Sequence, residues 1–164
     1  MAHKYKVFLT LTPLVILLDF VTKWLVLKYL AIGDVIIVIP RFFDLVHVRN
    51  AGAAFGMLAS MNPGIRAPFF YGISFAAACV LIYCFLTLER RNRFYPWPLS
   101  LIFAGVIGNL FDRIRFGSVI DFVSLHVGDK MISGVELRWP AFNVADSAIT
   151  ISMVLLLAAV FKKK

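Results

Sequence analysis

Cysteine is scarce in this chain: two residues among 164, Cys79 and Cys84. Both fall in one apolar stretch. Five positions apart on a helix they point in different directions, so no bridge between them is expected and they read as inert thiols, lipid-facing or packed. No metal-ligand spacing surrounds them. Histidine is almost as rare. His3, His47 and His126 are scattered and no H-E-x-x-H pair exists, which argues against a zinc peptidase. No G-x-S-x-G elbow is present either, which argues against a serine nucleophile. Acid is short too, with nine Asp and Glu against seventeen Lys and Arg. Internal repeats and low-complexity segments are absent.

What the chain has in excess is apolar surface. Hydrophobic residues make up 61% of it and the mean hydropathy is +0.87. Ordinary soluble domains fall well short of this. The composition implies a single-domain integral membrane protein with room for four spans of about 20 residues. The net charge of +8 then points to cytoplasmic flanks and anionic lipid headgroups rather than to nucleic acid. Four apolar stretches are candidates: Val7 to Tyr29, Pro68 to Leu88, Trp97 to Phe111 (to Arg115 with its polar last turn) and Ala141 to Phe161. The first is too long for a signal-peptide core and carries Asp19 and Lys23, so it reads as a retained helix.

Three short basic segments share one side of such a protein: Lys4 and Lys6, Arg90 to Arg93, and Lys162 to Lys164. The other side carries as many Lys and Arg, diluted over two long loops (30–67 and 116–140) among acids. Density therefore places both termini in the cytoplasm. In the first loop, Val35 to Ile39 is a β-branched run, followed by Pro40-Arg41 and a second strand-like run from Phe42 to Val48. This reads as a short β-hairpin or small sheet, although Pro-Arg is a poor two-residue turn. The expected fold class is thus an all-α membrane protein of four transmembrane helices with a small β-sheet or hairpin in the first extracytoplasmic loop.

Ionisable residues inside or at the edge of a bilayer are costly and have a partner or a task. Asp19 and Lys23 share a face of the first helix, as an ion pair that fixes packing or as a support for a site. Asn109, Asp112 and Arg113 share a face at the end of the third helix. Arg113 suits local pairing or a grip on a substrate carbonyl. Asp121 follows after a turn containing Gly117. Asn143 and Asp146 open the fourth helix one turn apart. Alone, Asp146 is explained by the helix dipole. Asn109, Asp121, Asn143 and Asp146 at one membrane depth look like a site. Two close carboxylates in a dry place share a proton, the minimal equipment for acid–base hydrolysis of a peptide bond.

Five blocks in order resemble those of the bacterial lipoprotein signal peptidases (signal peptidase II). They are Asp19-Phe20-Val21-Thr22-Lys23, Asn50-Ala51-Gly52-Ala53-Ala54-Phe55, Gly108-Asn109-Leu110-Phe111-Asp112-Arg113, Val119-Ile120-Asp121-Phe122 and Phe142-Asn143-Val144-Ala145-Asp146. The resemblance implies an aspartic endopeptidase of the bacterial cytoplasmic membrane, with its site toward the outer face. It would cut diacylglyceryl-modified prolipoproteins before the lipidated cysteine and be inhibited by globomycin. By the same resemblance Asp121 and Asp146 are the catalytic pair. Asn50, Gly52, Ala53 and Arg113 would bind substrate, and Asp19, Lys23, Gly108, Asn109, Asp112 and Asn143 would support the site. No metal or cofactor is expected; the partners are substrate, membrane lipids and globomycin-type inhibitors, and nothing requires more than a monomer. The 126–138 stretch is long for the linker between the last two blocks, which leaves the shape of a lid open. The competing reading is a small proton-coupled transporter or channel subunit using Asp19 and Lys23. Against it, the interiors of the second, third and fourth helices hold no acid.

Overall fold

The computed structural model describes residues 2–52, 58, 60–132 and 135–162, without the side chains of 129–137 and 162. Four helices and four strands run in the order α1 (His3–Tyr29), β1 (Val35–Ile39), β2 (Phe43–Asn50), α2 (Pro63–Thr87), α3 (Pro96–Phe116), β3 (Val119–Ile132), β4 (Val135–Arg138) and α4 (Val144–Lys162). By length and apolar composition α1, α2 and residues 144–161 of α4 can cross a membrane. α3 is not among them by that measure, since Asp112, Arg113 and Arg115 crowd its end. It is the central helix, packed against α1, α2 and α4.

Local signals explain the boundaries. α2 begins ahead of the expected Pro68 because Asn62 caps it, its side chain accepting from Gly64 N at 2.9 Å, and Pro63 occupies the first turn. Pro68 therefore lies inside the helix. At the other end of α2, Lys4 of α1 is buried. It donates to the carbonyls of Phe85, Leu86 and Leu88 at 3.0, 3.0 and 2.7 Å. The start of α1 and the α2–α3 connection therefore share one end of the bundle. The sheet occupies the other end.

Helix packing is closest where α3 has glycine. A Cβ on Gly105 would stand 2.5 Å from the Ala145 carbonyl oxygen, so α3 and α4 touch backbone to side of backbone there. Val15, Ala104 and Ala148 close the apolar centre of the bundle.

The sheet is antiparallel in the order β1-β2-β3-β4. The hairpin expected in the first loop is present, with Pro40-Arg41 as its turn. Phe42 N donates to Ile39 O at 3.1 Å, and Arg41 takes φ +65°, the left-handed geometry that a Pro-initiated turn demands of its third residue. β1 is an edge strand and all five of its apolar side chains are exposed. β3 and β4 were not expected: the second loop is also sheet. Asp44 on β2 ties the strands together. Its buried Oδ2 meets Arg138 Nη1 of β4 at 2.9 Å and His126 Nε2 of β3 at 3.2 Å, while Arg138 also donates to Ser124 Oγ at 2.8 Å.

Candidate active site

Two turns bring the acidic motifs together. Gly117, at φ +70°, ends α3 with its N–H on Arg113 O at 2.9 Å and reverses the chain into β3. β3 then runs back over the helix end, held by Ile120 N donating to Asp112 Oδ2 at 3.1 Å. The chain entering α4 is pinned to β3, since Phe142 N bonds Val123 O at 3.0 Å and Phe142 O accepts from Phe122 N and Val123 N. Asn143 therefore arrives beside Asp121.

Asn143 is wholly buried and touches both carboxylates. Its Nδ2 donates to Asp121 Oδ1 at 2.8 Å, to Asn109 Oδ1 at 3.2 Å and to Ile120 O at 3.2 Å. Its Oδ1 accepts from Asp146 N at 2.8 Å, and Asp146 Oδ2 accepts from Asn143 N at 3.3 Å. That exchange is a capping box built from Asn and Asp, so the helix start itself fixes Asp146. Asn109 Nδ2 reaches Asp146 Oδ1 at 2.7 Å, and Asn50 Nδ2 reaches Asp121 Oδ2 at 3.1 Å. Burial, and after it the charge of Asp146, push the Asp121 carboxyl up to about 7, against the pull of the Asn50 and Asn143 amides.

Beneath the amides lies a closed ion trio. Lys23 Nζ meets Asp19 Oδ2 at 2.7 Å and Asp112 Oδ2 at 2.8 Å, and it donates to Asn109 Oδ1 at 3.2 Å. Asp19 Oδ1 accepts from Ala145 N at 3.0 Å. A Cβ on Gly108 would stand 2.6 Å from Asp19 Oδ2, so glycine there lets the trio seat against α3. The Asp19–Lys23 pair ties α1 to α3 and α4, and Lys23 also bonds the side-chain amide of Asn109.

Arg113 reaches the same cluster. Nη2 donates to Gly52 O at 3.1 Å and Nη1 to Asn109 O at 3.5 Å, and the guanidinium lies 4.7 Å from the Phe70 ring. It interacts electrostatically with Asp146, Asp121 and Asp112. Its Nε is buried with no hydrogen-bond partner among the described residues. Gly52 N in turn donates to Asn50 Oδ1 at 3.0 Å. Ala53 lies outside the described residues. Sequence reasoning missed Tyr71, whose hydroxyl donates to Arg113 O at 3.0 Å, and Phe70, which carries the guanidinium. Neither belongs to a polar motif, so only packing could have shown them. No group of three His, Cys, Asp or Glu side chains that could hold a metal forms among the described residues.

Residues 11–162 match the family model described as signal peptidase (SPase) II. The chain is 42% identical to a lipoprotein signal peptidase of Desulforapulum autotrophicum, covering 87% of this chain and 84% of the relative. It is 41% identical to one of Syntrophotalea carbinolica, covering 95% and 91%. Two solved structures, each titled a bacterial membrane enzyme structure by the in meso method, superimpose with TM-scores of 0.79 and 0.78 at 35% and 34% identity. The first covers 94% of this chain and 87% of its own, the second 96% and 94%.

Proposed function

This chain belongs to the signal peptidase II family and is therefore a peptidase, and from that premise we propose that it is an aspartic endopeptidase acting on lipid-modified prolipoproteins. It cuts the signal peptide just before the diacylglyceryl cysteine. Asp121 and Asp146 act as a pair on one water. Asp121, raised to about 7, holds the shared proton at neutral pH and hydrogen-bonds the scissile carbonyl. Asp146, fixed by Asn109 and the α4 start, draws a proton from the attacking water. Asp121 then protonates the leaving amine. The observation that carries this reading is the single buried amide of Asn143 bonded to both acidic residues.

α3 is the fourth span. At 1.5 Å per residue its 21 residues reach roughly 30 Å, the thickness of a hydrocarbon core. The dense basic flanks put both termini in the cytoplasm of a bacterial inner membrane, with the sheet and the dyad at the outer face. There the acyl chains of a lipidated cysteine would hold the scissile bond level with Asp121. Arg113, Asn50 and Gly52 would grip the substrate backbone.

The test is cleavage of a diacylglyceryl-modified precursor followed by mass spectrometry, with and without globomycin. A cut before the modified cysteine, blocked by globomycin, is expected. Asp121→Asn and Asp146→Asn should each lower turnover at least about a thousandfold while the protein stays folded in the membrane. Near-normal turnover by either variant would refute the dyad.

A further inference from the structure

A groove of about 410 Å³ runs between α1 and α3 and is lined by all three members of the ion trio, while Asp121, Asn143 and Asp146 are not among its lining residues. Its walls are apolar, among them Ile16, Phe20, Trp24, Leu27 and Phe111, and it ends toward the sheet at Phe116 and Ile120. Cations gather at that end. Arg115 lines the groove with its guanidinium 4.9 Å from the Phe116 ring, and Arg49 of β2 sits 4.6 Å from the same ring. The two like charges therefore lie within about 10 Å of each other, roughly a Debye length. Lys28 adds a third, 4.9 Å from the Trp24 ring.

Among the described residues neither arginine forms an ion pair with a carboxylate. Arg49 Nε and Nη1 are buried and meet no hydrogen-bond acceptor among those residues. The acids that line the groove are engaged elsewhere: Asp112 holds Lys23 and Ile120 N, and Asp19 holds Lys23 and Ala145 N. A guanidinium with no carboxylate partner favours a phosphate oxygen as acceptor, and the exposed Arg115, which lines the groove, can offer its donors to one, while Arg49 adds its charge from the other contact of the Phe116 ring.

An open apolar channel ending in unneutralised arginines matches one molecule of the surrounding solvent. We propose that the α1–α3 groove binds an anionic glycerophospholipid from the leaflet on the sheet side, with an acyl chain between the helices and the phosphate on Arg115, within the electrostatic reach of Arg49. Lys23 and Asp19 line the groove and also hold Asn109 and Ala145 N, so a seated lipid would pack against the trio that contacts those groups.

The experiment is native mass spectrometry of the full chain in detergent, titrated with phosphatidylglycerol or with phosphatidylcholine of the same chains. Wild type should retain phosphatidylglycerol in preference. Arg49→Gln and Arg115→Gln should each weaken that retention about fivefold and leave phosphatidylcholine unchanged. Glycerophosphate and inorganic phosphate, which have the headgroup chemistry without the chains, should not displace the lipid. Equal retention of the two lipids, an unchanged affinity in both variants, or displacement by inorganic phosphate alone would overturn the proposal. If a melting curve shows Arg49→Gln unfolded, the exposed Arg115→Gln carries the same comparison.

Discussion

Asn143 does at one position what usually takes several residues. It caps α4, donates to one carboxylate and receives the backbone N–H of the other. The energetic tension of the site sits next to it, on Asp121. In the unfolded chain this carboxyl titrates near the ordinary value of about 4; in the fold it is pushed up to about 7, by burial first and by Asp146 second. Between those values the folded state holds the extra proton. Its contribution to stability is therefore fully present below about pH 4 and is lost as pH rises through about 7. Melting curves should show Tm falling across that window, and Asp121→Asn should flatten the fall. An equally steep fall in the variant would show that another group sets it. At this scale the sequence was informative because every group in the cluster is polar in an apolar chain: Asp19, Lys23, Asn109, Asp112, Arg113, Asp121, Asn143 and Asp146 stand out one by one. Tyr71 and Phe70 do not stand out, since aromatic residues in an apolar helix carry no such contrast. Arg49 is invisible for a different reason, because an arginine in a strand gives no hint that its donors lack acceptors.

Among the helices, α2 has the fewest packing partners, and much of what anchors its end is one side chain. Lys4 fills the place of a C-terminal cap by donating to three carbonyls that would otherwise have no partner. Lys4→Met should therefore destabilise the protein by roughly 1–3 kcal/mol, the cost of leaving buried acceptors unmet. The folded fraction should cleave normally, because the residue lies at the end of the bundle away from the dyad. A thermal melt paired with turnover per folded molecule checks both halves. Helices and the first hairpin were legible through long apolar runs and a β-branched pair of segments. β3 and β4 were not. Most of β3 beyond Asp121 mixes apolar residues with Ser, His, Gly, Asp and Lys, and it is recruited to the sheet by pairing with β2 rather than by any pattern of its own. The start of α2 was overlooked because Pro68 resembles a helix entry as much as Pro63 does, and the Asn62 cap decides between them only once the turn is seen.

For the whole molecule, the sheet and the helical bundle are two bodies sharing one seam, and the candidate site is that seam. Asp44 keeps the sheet coherent by holding β3 and β4 to β2 through His126 and Arg138. Asp44→Asn should raise hydrogen exchange at Val135–Arg138 and leave the amides of α3 and α4 as protected as before; parallel loosening of the helices would show that the clamp serves the entire fold. The outermost strand points to a practical limit of another kind. β1 presents an unpaired edge and five bare aliphatic side chains, the combination on which further strands nucleate. Once the molecule is extracted and concentrated, that edge is the place where a second copy would add a strand, so association through β1 is the expected route of loss from micelles.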